Sequence, residues 1–169
     1  KDVAAARGLL HRAIQHNTDS EEIWLAAGKL ESETGNVDKA REIYRRGRKA
    51  LPSRPRLWMK SALLEIELNK HEDALHLIDE GVEKFPTFYK FYLMGAACSA
   101  SKSDHRRRTG SEFLKKGVLA CLSPHDQGND ILSIELARVE ESESGPNKAR
   151  SVLELARMKL PKSQQLWLE

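Results

Sequence analysis

The chain has only two cysteines among its 169 residues, and it lacks the short motifs on which catalytic sites are built. Cys98 and Cys121 lie far apart and form no CxxC pair, which argues against a disulfide framework or a thiolate metal site. His71 and His76 are five residues apart, a spacing that does not share one helix face, so zinc is not expected. Without a phosphate loop or a nucleophile elbow, we predict no enzyme activity, no metal and no cofactor.

Long hydrophobic runs are missing as well. Charged residues make up 31% of the chain and its mean hydropathy is −0.58. No stretch approaches the roughly 20 apolar residues of a membrane helix. The chain begins at Lys1 and ends at 166–169 in what resembles the start of a further unit, so we expect a fragment of a longer protein.

Several residue types recur along the chain with one fixed period. The same step separates two tryptophans, two alanines and two prolines: Trp24 and Trp58, Ala40 and Ala74, Pro52 and Pro86. Its length of about 34 residues is typical of a helix-turn-helix unit that buries its apolar face against its neighbours. We predict an all-α, right-handed α-solenoid over residues 1–169, with repeats at about 20–52, 54–86, 88–124 and 129–161 and partial units at 1–18 and 163–169.

Each repeated residue has a packing role in this prediction. Trp is expected to wedge between helices, small residues to allow close helix approach, and Pro to end each second helix. Later repeats place Tyr92, Ala149, Pro161 and Trp167 at the corresponding packing positions. Tyr92 and Ser133 occupy the tryptophan position, and their separation exceeds one period by seven, so we assign seven inserted residues to a connector at 99–110.

Periodicity and turn signals predict ten helices. Asp19 with Glu22 predicts a capping box at the start of one helix, Gly35-Asn36 predicts its end, and Gly145-Pro146 predicts a turn. The predicted ranges are 3–16, 20–34, 37–50, 54–69, 71–84, 88–101, 108–122, 129–143, 146–159 and a start at 163.

Charged residues also follow the repeat. A glutamate recurs in the first helices and an Ala-Arg step in the second helices: Glu31, Glu65 and Glu140, with Arg7, Arg41 and Arg150. A guanidinium matches a carboxylate in two-point geometry, so a repeated, partly buried ion pair between facing helices is one interpretation. The alternative is two sets of independent, solvated charges.

The combination of Trp, Glu, Ala-Arg and Pro resembles the half-a-tetratricopeptide (HAT) repeat, whose family acts in RNA-processing complexes. The resemblance is strongest over Val3–Glu33 and continues at Arg56–Ser61. It implies a nuclear scaffold of the spliceosome that bridges protein components of the tri-snRNP during pre-mRNA splicing. Two alternatives stay open: a HAT scaffold of mRNA 3′-end cleavage or ribosomal RNA processing, and a direct RNA-binding repeat protein.

First helices are expected to line the concave face of such an array and to bind the partner. The corresponding residues form an apolar stripe edged by charge: Leu25, Lys29, Met59, Leu63, Leu93, Ile134 and Arg138. Such a stripe suits an amphipathic helix or an extended peptide of a protein partner. It would equally suit a core between helices.

Basic clusters indicate a second kind of partner. Residues 41–60 hold eight basic side chains against one acidic one, and residues 102–116 hold six against two. Five arginines are candidates for contact with RNA phosphates: Arg45, Arg48, Arg106, Arg107 and Arg108. Because stacking aromatics are scarce in these stretches, phosphate contact without base readout is the form expected, and a solvated face is the alternative.

Overall fold

The computed structural model describes residues 2–100, 104–121 and 128–168, with the backbone alone for residues 100 and 104–109. Within these residues the chain is helical and contains no strand. The helices are α1 Val3–His16, α2 Glu21–Glu33, α3 Val37–Ala50, α4 Pro55–Glu67, α5 His71–Lys84, α6 Lys90–Ala100, α7 Asp104–Ala120, α8 Asn129–Ser144, α9 Pro146–Lys159 and α10 Gln164–Leu168. The predicted helices are confirmed to within two residues at each described end except the start of α7. None of the described helices has the length and apolar character of a membrane span.

The chain forms two compact units, Lys1–Leu77 and Ile78–Glu169. In the N-terminal unit the core is built from one apolar face of each helix. Trp24 is 3% exposed and packs with Ala40, Tyr44 and Leu57. Gly28 lies against the Tyr44 ring so closely that a Cβ would stand 2.3 Å from Cε1, which explains the small residue at this repeat position.

Two helix ends in the N-terminal unit repeat each other. Gly35 (φ +78°) and Asn69 (φ 58°) occupy the same position of successive repeats, and both adopt the left-handed conformation that closes a helix. The next amide in each case donates to a carbonyl five residues earlier, Asn36 N to Glu31 O at 2.8 Å and Lys70 N to Glu65 O at 2.9 Å. The predicted stop at Gly35 is therefore confirmed. The predicted capping box is wrong, because α2 begins after Ser20, whose side chain makes no cap bond.

The C-terminal unit buries Phe91, Tyr92, Leu114 and Leu132 at its centre. Cys98 and Cys121 are buried and form no disulfide, as the sequence indicated. The aromatic residue near the start of a repeat also donates a hydrogen bond. The prediction that it wedges between helices does not include this bond. Tyr92 Oη donates to the Pro86 carbonyl at 2.8 Å, and in the N-terminal unit Trp24 Nε1 donates to the Thr18 carbonyl at 2.9 Å.

Two expectations for the C-terminal unit are wrong. The connector at 99–110 carries no insertion, because α6 ends at Ala100 and α7 begins at Asp104. The added length lies in α7, which has 17 residues against 14 in α3 and α5, and in the segment after it. Trp167 is 62% exposed instead of packed. Trp24 is covered by the helix that follows its own. The Arg157 guanidinium lies 5.3 Å from the centre of the Trp167 ring, and Trp167 Nε1 donates to the Pro161 carbonyl at 3.2 Å.

Candidate protein-binding groove

Adjacent helices of the N-terminal unit are joined by a repeated ion pair. Arg41 of α3 donates from Nε and Nη2 to the two carboxylate oxygens of Glu65 in α4, each at 2.8 Å. Arg7 of α1 makes the same two-point contact with Glu31 of α2, where the Nη2–Oε2 distance is 3.0 Å. The paired interpretation of the repeated charges is therefore confirmed at these two places.

The pKa values of Glu31 and Arg41 are shifted in the directions that favour the charged forms of both groups. The side chain of Glu31 is 5% exposed, and the hydrogen bond from Arg7 lowers its pKa below the ordinary 4.5 although burial opposes this. The pKa of Arg41 is raised by its bond to Glu65. Removing either guanidinium would leave a buried carboxylate without its counter-charge, which is costly.

The third glutamate of the series has a different partner. Glu140 of α8 is 5% exposed and accepts from Lys115 Nζ at 2.7 Å, which lowers the pKa of Glu140. Arg150 is exposed, and the structure places no ion pair on it within the described residues. Pairing of Arg150 with Glu140 is excluded because each glutamate faces the second helix of the preceding repeat, and Arg150 follows Glu140 in its own repeat.

A groove of about 440 Å³ opens in the C-terminal unit between the first helices α6 and α8, with α7 as its floor. Small residues line it at Ala96, Ala97 and Gly110, and α6 and α7 approach so closely that a Cβ on Gly110 would stand 3.2 Å from the Ala96 carbonyl oxygen. Its apolar walls and its partly acidic edge come from Leu93, Leu114, Ile131, Val139, Glu135 and Glu143. The groove can accept apolar side chains of a partner segment.

The predicted stripe matches this groove in part. Leu93 lines it. Ile134 does not, since it is 8% exposed and packs with Ala156 and Leu166, so its placement on a binding face is wrong. The groove face of α8 instead carries Ile131, Glu135 and Val139, spaced by four residues, which a stripe built on the tryptophan register misses.

The other stripe residues lie at or near the surface. Arg138 is exposed and pairs with Glu135 at 2.9 Å, and Lys29 is exposed and lies 3.6 Å from Glu33. Leu25, Met59 and Leu63 are half-buried, and Leu25 packs against the core of the N-terminal unit. Partner binding by these residues stays a prediction.

The candidate phosphate-binding arginines are partly engaged within the chain. Arg45 donates to both carboxylate oxygens of Glu42 at 2.8 Å, and the Arg48 guanidinium lies 4.5 Å from the centre of the Trp58 ring. Arg106, Arg107 and Arg108 belong to α7, and their side chains lie outside the described residues. Among the described residues, no three His, Cys, Asp or Glu side chains are grouped to hold a metal ion.

Comparison with solved structures establishes the fold. MamA residues 41–end from Desulfovibrio magneticus RS-1 superpose with a TM-score of 0.61 at 16% identity, covering 96% of this chain and 87% of that one. A thermophilic TPR protein of Thermus thermophilus gives 0.58 at 18% identity, covering 98% and 87%. A family model described as tetratricopeptide repeat matches residues 1–64. The predicted fold class, an all-α solenoid of helix-turn-helix repeats, is confirmed.

Parts of this chain are also similar in sequence to curated proteins. Over 95 residues, 56% of this chain, the sequence is 36% identical to pre-mRNA-processing factor 6 of Pongo abelii. Over 90 residues, 53% of the chain, it is 29% identical to pre-mRNA-splicing factor 6 of Saccharomyces cerevisiae. A 35-residue stretch is 51% identical to the protein STABILIZED1 of Arabidopsis thaliana. The chain spans 10%, 10% and 3% of the lengths of these proteins.

Proposed function

We propose that this chain is a protein-binding segment of a nuclear splicing scaffold and that it bridges protein components of the tri-snRNP. The observation that carries the proposal is the 36% identity to pre-mRNA-processing factor 6 over 95 residues. The Arg–Glu pairs support it, because they occupy the positions on which the HAT resemblance rests. The activity is binding, and no chemical step is assigned to it.

The mechanism is the summation of modest contacts along neighbouring repeats. Each bound segment raises the effective concentration of the next, so several weak sites give a stable assembly. The Arg–Glu pairs hold neighbouring helices in register, which keeps the distance between sites constant. The groove between α6 and α8 supplies one such site. Glu135 on its edge is paired with Arg138, so Glu143 is the edge carboxylate that favours a basic residue of the partner segment.

The test is affinity purification of the tagged protein from nuclear extract, with proteins and small nuclear RNAs identified before and after ribonuclease treatment. Ala97 is exposed and lines the groove, so Ala97→Arg places a long charged side chain in it with little cost to the helix. Ala50→Arg makes the same change at an exposed position at the end of α3 and is the matched control.

We expect tri-snRNP proteins to be recovered with the wild type and with Ala50→Arg. They should stay bound after ribonuclease treatment and decrease with Ala97→Arg. Recovery of 3′-end cleavage or ribosomal RNA processing factors in their place would favour the alternative scaffold. Loss of every partner after ribonuclease would favour direct RNA binding. Either outcome would overturn the proposal.

A further inference from the structure

A second groove lies in the N-terminal unit, between the second helices α1 and α3 and above the first helix α2. We refer to it as the α1–α3 groove, and it encloses about 510 Å³. Its floor is apolar and is formed by Leu10, Ile14, Ala27, Leu30 and Ile43. Its volume lies within the roughly 300–1,000 Å³ of ligand clefts.

The next repeat has the corresponding groove, between α3 and α5, and there it is nearly filled. That groove encloses about 170 Å³, and each of its eight lining residues has its counterpart, one repeat earlier, in the wall of the α1–α3 groove. The difference lies in side-chain size. Tyr44 and Arg48 of the filled groove correspond to Leu10 and Ile14 of the open one. Larger side chains at these two positions therefore accompany the smaller groove, while the Tyr44 ring itself packs against Gly28 of α2.

The charge around the α1–α3 groove is positive on balance once its ion pairs are counted. Three carboxylates line it: Glu31 is paired with Arg7 and Glu42 with Arg45, whereas Asp38 shares Arg41 with Glu65. Lys39 and Arg46 also line it, and within the described residues neither is placed in an ion pair. Their counterparts in the next repeat are Asp73 and Glu80, so this edge reverses its charge between repeats.

From these observations we infer that the α1–α3 groove binds an amphipathic helix of a partner protein. One face of that helix carries large apolar residues, and its edge toward α3 carries carboxylates. An elongated occupant fits because Lys39 and Arg46 lie seven residues, about two turns, apart along one helix and do not converge on a point. The inference concerns second helices of the N-terminal unit and not the groove between α6 and α8, and it does not depend on the splicing assignment.

The probe is a fluorescein-labelled helical peptide of about 18 residues, with Leu and Phe at i, i+3, i+4 and i+7 and Glu at the flanking positions. A second peptide has Lys in place of each Glu, and a single-stranded oligo(U) RNA is titrated in parallel. Fluorescence anisotropy against the purified chain measures the three dissociation constants. Because none of these probes requires nuclear extract, failure here and failure of the splicing proposal are separate results.

The decisive variant transplants the charges of the next repeat, Lys39→Asp with Arg46→Glu. Its matched control, Lys49→Glu with Lys60→Asp, makes the same change in net charge at exposed positions that do not line the groove. We expect the first variant to bind the acidic peptide about tenfold more weakly and to gain affinity for the basic one, while the control stays within about twofold. Leu10→Tyr introduces the larger residue that the next repeat has at the corresponding position, and it leaves Lys39 and Arg46 unchanged. It should weaken binding of the acidic peptide.

Three results would overturn the inference. The first is absence of acidic-peptide binding, and the second is equal binding of the acidic and basic peptides. The third is binding of oligo(U) alone, with loss in the charge-transplant variant, since it would assign Lys39 and Arg46 to a nucleic acid. Circular dichroism of each variant establishes that the helices are retained.

Discussion

Arg41 and Glu65 are joined by two hydrogen bonds of 2.8 Å between the second helix of one repeat and the first helix of the next. The Glu65 side chain is 8% exposed and that of Arg41 is 31% exposed, so the carboxylate depends on the arginine for its counter-charge. Arg7 and Glu31 make the same contact one repeat earlier. The ion pair is therefore part of how neighbouring repeats recognise each other, and it is a target for mutation.

Replacing Arg41 by Met should destabilise the chain by about 1–3 kcal/mol, because Glu65 stays buried without its donor. Arg45→Met removes an exposed pair with Glu42, within one helix, and should cost ~0.5 kcal/mol or less. Urea unfolding followed by circular dichroism measures both. The double variant Arg41→Met with Glu65→Met should recover most of the loss. Equal costs for Arg41→Met and Arg45→Met would contradict the assigned role.

Glu31 makes the stability dependent on pH in a defined direction. Its pKa is below the ordinary 4.5 because Arg7 donates to the charged form. The folded state therefore holds the Glu31 proton less tightly than the unfolded state, so the pair stabilises fully above about pH 4.5 and loses its effect as pH falls through the lowered pKa. The stability difference between wild type and Glu31→Gln should shrink over that window. Glu154→Gln, at an exposed position of α9, is the control for the substitution itself.

Most of the helical architecture could be predicted because it depends on short-range patterns. Gly35, Pro146 and the spacing of Trp24 and Trp58 mark helix ends and repeats directly in the sequence. The insertion was placed wrongly because the stretch 99–110 contains the polar residues of a loop, while α7 begins at Asp104. Tertiary context overrides local propensity in such a stretch.

The binding surface was harder to predict because it depends on a rotation about each helix axis. Leu93 was found, but Ile134, one repeat later, turns toward Ala156 and Leu166. A small shift in register is enough to move a helical residue from a groove to a core. The α1–α3 groove is not predicted, because its volume depends on how side chains of three helices pack together and leaves no pattern in the sequence.

Tyr92 provides a test of the hydrogen bond that anchors the opening aromatic of a repeat. It is 2% exposed, and its hydroxyl donates to the Pro86 carbonyl at 2.8 Å. Tyr92→Phe keeps the ring and removes the donor, so it should cost about 0.5–1.5 kcal/mol. Tyr89→Phe is the control, because Tyr89 is half-buried and the structure places no hydrogen bond on its hydroxyl within the described residues. Urea unfolding in which both variants match the wild type would show that the bond contributes nothing.

Two helical glycines should respond to alanine in opposite directions. At Gly8 of α1 a Cβ would meet nothing within 4 Å, so Gly8→Ala should stabilise the chain by about 0.5–1 kcal/mol through helix propensity. At Gly28 of α2 the same methyl group would stand 2.3 Å from the Tyr44 ring, which is 4% exposed and has little room to move. Gly28→Ala should therefore destabilise by about 1–3 kcal/mol.

The Gly28 effect should depend on the size of residue 44. In a Tyr44→Leu background, with the side chain that Leu10 has at the corresponding repeat position, Gly28→Ala should cost less than it does in the wild type. A double-mutant cycle from thermal or urea unfolding measures this coupling. Additive effects of Gly28→Ala and Tyr44→Leu would mean that the close approach of α2 and α3 at this point does not limit the packing of the repeat.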